Sequence, residues 1–228
     1  MQESVPQLEL HQKAGTWGFG RKERILTLVF SILFIVSGFM TYFAAITHEK
    51  ETMQLFEKIS SSIMESMGDE GDVLSKMDEH KPTKDIVKSQ FVTSVHIFIN
   101  NFKVVVFVMI GALLTVYFYP TVAVISNGAV LGLILAALKI ANPEDSTWAG
   151  LLTGIVPHGI FEIPAIILSG VVGARLGLAG YRTVFKKEQE LPYKIVLLQT
   201  GRFFLYILLP LLIIAAFIEM FVTPHIMQ

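Results

Sequence analysis

Apolar residues run along this chain in blocks far longer than a half-buried helix or strand requires, with polar residues gathered between the blocks. The first block is residues 25–45, "ILTLVFSILFIVSGFMTYFAA"; others cover about 102–118, 121–138, 148–172 and 195–222. A helix crossing the hydrocarbon core of a bilayer takes about 20 mostly apolar residues. The pattern therefore predicts five transmembrane helices. The first block follows "RKER", as a secretion signal would, but its apolar run is too long for one and no A-x-A site closes it. It reads as a retained helix. The predicted fold class is all-α, an integral membrane helical bundle.

Between the first and second blocks the periodicity changes. Met53, Phe56, Ile59 (or Ser60), Ile63 and Met67 recur at helical spacing among Glu, Lys and Ser, and Gly68 ends the pattern. A further helix starts after Pro82 and runs through "DIVKSQFVTSVHIFI" into the second span. These two helices are expected to pack on each other above the membrane, or to offer their apolar stripe to a second subunit or an envelope partner. Basic residues in the loops set the orientation. Arg21, Lys22 and Arg24 precede the first span, and Arg175, Arg182, Lys186, Lys187 and Lys194 fall between the fourth and fifth. Segment 46–100 is acidic on balance, and the short "NPED" loop carries two carboxylates. The expected layout is a cytoplasmic segment 1–24, a first span 25–45, an extracytoplasmic helical segment 46–100 and a membrane-embedded core 101–228.

Composition narrows the chemistry. The 228 residues are 53% hydrophobic and 16% charged, which is too little charge for a soluble domain of this size. A net charge of −1 gives no sign of a nucleic-acid partner. The absence of cysteine excludes disulfides, thiol nucleophiles and thiolate metal sites, so any metal must be held by imidazole and oxygen. Gly128-x-x-x-Gly132, Gly150-x-x-x-Gly154 and Gly173-x-x-x-Gly177 allow helices to approach closely, either within one subunit or in a homodimer. There is no internal repeat of the kind that builds inverted transporter halves.

The candidate chemistry lies in "GIVPHGIFEIPAIILSG", residues 154–170, where His158 and Glu162 stand four positions apart. A carboxylate at mid-bilayer costs several kcal/mol unless protonated, paired or metal-bound. Residues i and i+4 share a helix face, so the pair can aim at one spot. Counting the helical rise from Trp148 puts His158 about 15 Å below the outer boundary. Pro157 and Pro164 flank the pair and are expected to bend or break the span, freeing carbonyls beside it. Glu219, in "AAFIEMFVTPHI", lies within about a turn of the same depth. Together His158, Glu162 and Glu219 offer one nitrogen and two carboxylates, a mixture that zinc accepts with water. Asn100, Asn101, Asn127, Gly159, Pro157 and Pro164 are candidates for lining the site, the asparagines serving otherwise as hydrogen-bonding glue between helices. Three readings fit the His/Glu pair: a metal-free hydrogen-bonded couple, a divalent-cation site, and a proton or substrate relay. A zinc hydrolase fits poorly, because the spacing is H-x-x-x-E and no second histidine lies nearby.

Three stretches carry a family resemblance. "NNFKVVVFVMIGALLTVYFYPTVAVISNGAVLG", "PHGIFEIPAIILSGVVGARLG" and "LLIIAAFIEMFVTP" together resemble the stage II sporulation protein M family, over about residues 98–224. The PHG-x-x-E-x-P segment is the most specific. The family's recurring positions correspond to Asn100, Asn101, Asn127, Gly128, Pro157, His158, Gly159, Glu162, Pro164 and Glu219. The resemblance implies a multi-pass plasma-membrane protein of a bacterium or archaeon with about five spans. It also implies a non-catalytic scaffold that anchors peptidoglycan-degrading partners, so that septal wall is remodelled and the forespore engulfed in sporulating bacteria. The buried carboxylates, taken alone, favour a small ion or solute transporter or channel instead.

Overall fold

The computed structural model describes residues 19–67, 83–141, 156–187 and 191–221, and its elements among them are all helical. Helix α1 is Arg21–Thr47, α2 is Glu49–Met67, α3 is Thr83–Thr115, α4 is Phe118–Ala141 and α5 is Val156–Val184. After α6 (Tyr193–Phe203) comes a π turn, Phe204–Leu208, and then α7, Leu209–Phe221. Five stretches are long and apolar enough to cross a bilayer: Arg21–Thr47, Phe98–Thr115, Phe118–Ala141, Gly159–Val184 and Tyr193–Glu219. In hydrocarbon every backbone polar group needs an internal partner, which leaves the helix as the local solution. Hydroxyls inside the spans follow the same rule by bonding back to their own helix. Thr27 donates to the Glu23 carbonyl at 2.8 Å, Ser31 to that of Thr27 at 2.9 Å, and fully buried Ser169 to that of Ile166 at 2.7 Å.

Helix α5 is the axis of the bundle. The protein itself buries 61% of its apolar window, against 11–33% for the other four spans, and α5 packs on α1, α3, α4, α6 and α7. Glycines make these approaches close. A Cβ at Gly177 would collide with the Ala112 carbonyl of α3, and one at Gly173 would lie 3.0 Å from the Met109 Cα. Gly128 and Gly132 press in the same way on the Phe34 and Gly38 carbonyls of α1. Both glycine pairs are thus occupied within one subunit; Gly150 and Gly154 lie outside the described residues.

Several boundaries differ from the sequence expectation. Pro120 sits in the first turn of α4 rather than before it, where its missing N–H costs nothing. The α3–α4 connection is a two-residue turn at Val116 and Tyr117. Val116 has φ 56°, a left-handed conformation costly for a β-branched residue, and its N–H donates to the Ala112 carbonyl at 2.8 Å. Helix α5 continues to Val184, well past the expected end at 172, so Arg175 and Arg182 belong to the helix and not to a loop. Pro157 occupies the second position of α5 and is a start signal, not a kink. Pro164 lies inside the helix without interrupting it, so the span is not broken there.

The stripe on α2 also finds a different partner from the one expected first. Ile59 packs on Ala45 of α1 and on Leu133 and Ala136 of α4, and the buried Thr52 hydroxyl donates to the Ala45 carbonyl at 2.8 Å. Among the described residues α2 therefore folds back on α1 and α4, rather than chiefly on α3. The Ile63 and Met67 side chains lie outside the described ones.

Candidate functional site

Helices α3, α5 and α7 pack on one another and share a buried apolar layer of Val105, Ala165, Leu208 and Leu212. The candidate polar positions are reached from this layer by helical steps toward the end of the bundle where α5 begins. Asn101 is four residues from Val105, Glu162 three and His158 seven from Ala165, and Glu219 seven from Leu212. Steps of three, four and seven return to the same face. Along their own helices, Asn101 and Glu162 therefore lie about 5 Å from Val105 and Ala165, position 158 about 10 Å from Ala165, and Glu219 about 10 Å from Leu212 and about 16 Å from Leu208, at 1.5 Å per residue.

One contact closes this arrangement directly. The Asn101 Nδ2 donates to Glu162 Oε1 at 2.5 Å, a short bond between two partly buried groups from different spans. Glu219 is partly buried on α7, Gly159 is buried, and Pro157 and Pro164 are partly buried. Asn100, one residue from Asn101, is exposed. Asn127 is on α4, and its amide donates to the Ala123 carbonyl of its own helix at 2.8 Å. The backbone of His158 lies in the first turn of α5, while its side chain is outside the described ones. Among the described residues no three His, Cys, Asp or Glu side chains are grouped to hold a metal, and the expected trio includes that undescribed imidazole. The stretch from Trp148 to Ile155, along which the depth of His158 is counted, lies outside the described residues.

A second polar cluster lies toward the opposite end of α5, and its centre, Arg175, is inside the helix where the sequence pattern predicts a loop. Arg175 Nη2 donates to Gln199 Oε1 of α6 at 2.6 Å, and its Nε stands 3.6 Å from Glu23 Oε1 of α1. Gln199 and Thr200 are buried. A small cleft here is lined by Phe19, Glu23, Val172, Arg175, Gln199, Thr200 and Phe203, and the Phe19 and Phe203 rings are 5.3 Å apart. The available signal was the apolar continuation on both sides of Arg175, "SGVVGARLGLAG", in register with Gly173 and Gly177.

An uncharacterized protein of Methanocaldococcus jannaschii is 31% identical over 160 residues, covering 67% of this chain and 83% of its own length. No solved structure gives a significant match. The family described as stage II sporulation protein M matches residues 29–224, extending the resemblance backward through α1 and α2. A multi-pass helical bundle in which the PHG-x-x-E segment opens the central helix, this chain belongs to the stage II sporulation protein M family.

Proposed function

We propose that the protein is a non-catalytic scaffold of the plasma membrane, anchoring peptidoglycan-remodelling or other envelope partners, with a structural divalent cation at the α3–α5–α7 cluster. The family to which it belongs is not a known enzyme family. The observation that carries the scaffold reading is how the bundle is filled between its two polar clusters. Phe30, Val105, Val124, Val171, Leu208 and Leu212 are each at most 1% exposed, which supports a sealed support over a conduit. The orientation follows the basic residues: the Arg21 end of α1 and the Lys186–Lys187 end of α5 face the cytoplasm. The far end, with α2, then faces the cell envelope.

Within that scaffold His158, Glu162 and Glu219 hold the cation and Asn101 orients Glu162. The donor set suits zinc, whose ligands are held in place by second partners such as an amide on a carboxylate. Its function there is to tie three spans together at the face presented to partners. Isolation of tagged protein from native membranes is expected to co-purify a wall hydrolase or envelope protein, and reconstituted vesicles are expected to show no ion flux. Recovery of no envelope protein, together with a flux abolished by Glu162→Gln, would replace the scaffold with the transporter reading.

A further inference from the structure

Helix α6 has two faces of different kinds. Val196, Gln199, Thr200 and Phe203 turn toward the bundle and are buried or partly buried. Lys194, Leu197, Leu198, Gly201 and Arg202 are exposed, and steps of three and four put them on the outer side, continuing into exposed Leu205 of the π turn. Arg202 is the anomaly. It lies inside the apolar stretch Tyr193–Glu219, yet its guanidinium has no hydrogen-bond or ion-pair partner among the described residues. A cation within a span ordinarily faces the bundle interior and is paired there. This one faces outward and needs an anion from outside the subunit.

The depth of Arg202 fixes the source of that anion. Helices α5 and α6 run antiparallel, since a Cβ on Gly180 would lie 3.5 Å from the Tyr193 ring while Arg175 reaches Gln199. Arg175 also stands beside Glu23 in the first turn of α1, among Arg21, Lys22 and Arg24. Arg202 is three residues past Gln199, so its Cα is only about 5 Å farther into the bundle than that basic turn. Helical side chains lean toward the helix N-terminus, and α6 begins at the basic end. The Arg202 side chain is therefore aimed back toward the level at which long cationic side chains snorkel to headgroups.

The surface beside it leaves room for a lipid. Gly128, Gly132, Gly173 and Gly177 each admit a neighbouring helix, but a Cβ at Gly201 would meet nothing within 4 Å. Glycine inside a helix costs stability, and no contact among the described residues accounts for this one. Leu197, Leu198 and Leu205, each about half exposed, border the gap.

We propose that the outer face of α6 binds an anionic phospholipid of the leaflet at the basic end. Arg202 takes the phosphate, Lys194 adds to the attraction, and an acyl chain lies in the gap at Gly201. Charge favours an anionic over a zwitterionic lipid. At this end the cations of the first turn of α1, with Arg182, Lys186 and Lys187, are opposed among the described residues only by Glu23, which is already paired with Arg175. Each cation near the surface strengthens the attraction for an anionic headgroup.

The cysteine-free chain lets a probe be placed beside the site. Leu205→Cys is labelled with bimane and reconstituted in mixtures of phosphatidylglycerol and phosphatidylcholine. Brominated acyl chains on one lipid or the other then quench the probe in proportion to that lipid's occupancy beside it. The same label at Phe107→Cys, exposed on α3 and near the same level through the Met109–Gly173 approach, reports the bulk bilayer. Phosphatidylglycerol is expected to be preferred at position 205 by about fivefold relative to position 107. Arg202→Gln and Gly201→Leu should each bring the ratio at 205 down to the value at 107, and Arg202→Lys should keep most of it. The Arg202 side chain is exposed, so both of its variants are expected to accumulate, and they decide the matter without Gly201→Leu. Equal ratios at the two positions overturn the proposal, as does a preference that Arg202→Gln leaves unchanged. Failure of either lipid to quench at 205 overturns it too, in favour of a second copy of this chain covering that face.

Discussion

The two polar clusters on α5 lie about 20 Å apart and are built on opposite plans. Toward the basic end, the cation is Arg175 and the chain supplies its complement, with Gln199 at 2.6 Å and Glu23 at 3.6 Å. At the far end the Asn101 amide of α3 meets the Glu162 carboxylate of α5, and the proposed site adds Glu219 of α7. There the stretches 98–105, 156–165 and 212–221 contribute only His158 and the exposed Lys103 as cationisable groups. The difference shows two ways for one helix to carry ionisable groups through a low-dielectric bundle. A fixed ion pair locks helices permanently; a carboxylate-rich convergence suits a cation that can be loaded and removed. On this view the basic end is architecture and the far end is the site.

The strongest way to break that division is to disturb the architecture alone. Gly177→Leu drives a side chain into the Ala112 carbonyl and toward the Val116 Cα, and neither backbone can yield without separating α3 from α5. Overpacking typically costs 1–3 kcal/mol and more where backbone is the obstacle, so a loss of at least about 3 kcal/mol is expected, measured as a fall in thermal stability in detergent or as failure to accumulate. Unchanged stability would mean that the close α3–α5 approach, on which the Asn101–Glu162 contact depends, is wrong.

Metal removal sharpens the other half. If the far-end cluster binds zinc, free zinc at a hundredfold excess over its Kd should stabilise the unaltered protein by about 2.7 kcal/mol over chelated protein. Glu162→Gln keeps the shape and an acceptor for Asn101 but removes the charge. It should abolish the zinc-dependent increment, and elemental analysis should find the metal lost, while chelated variant and chelated parent unfold alike. A zinc increment that survives Glu162→Gln places the ion elsewhere.

Arg175→Ala gives the matching measurement at the basic end. It removes a charge-assisted hydrogen bond to buried Gln199 and leaves Glu23 beside apolar neighbours, an expected cost of about 2 kcal/mol given that the arginine is partly exposed. Glu23→Gln should cost little once Arg175 is gone, because the two act as a pair. Chelator should leave the cost of Arg175→Ala on stability in place. Additive losses would mean that Glu23 and Arg175 contribute as independent contacts.

How much of this was legible follows from what lipid makes uniform. The five spans were readable because water must be excluded over a length that only runs such as "ILTLVFSILFIVSGFMTYFAA" satisfy. His158, Glu162 and Glu219 stood out because an ionisable residue in such a run is expensive, and the Asn101 amide on Glu162 is the contact that the structure adds. The same uniformity hid the rest. Within "FLYILLPLLIIAAF" every position is apolar or aromatic except Pro210, so no change of hydrophobic phase betrays a π turn. Arg175 was misplaced because a charge normally marks the end of a span; its acceptors, Glu23 and Gln199, are 152 and 24 residues away in sequence. The orientation of the neighbouring asparagines was equally invisible, since their composition is identical and only packing separates them.

That pair offers the smallest and cleanest comparison. Asn100 and Asn101 share residue type, helix and depth, and differ by about 100° around α3. Asn101 meets Glu162, and Asn100 is exposed. Replacing Asn101 with alanine deprives a partly buried carboxylate of a donor, for which about 1–1.5 kcal/mol is expected, together with weaker zinc retention, since the amide fixes the orientation of the ligand. Asn100→Ala should stay within about 0.5 kcal/mol, as exposed substitutions do, and leave zinc content alone. The difference between these two unfolding curves isolates the contribution of one face of α3. Equal losses would mean that both asparagines act through helix propensity or the interface, and that Glu162 is held by something other than Asn101.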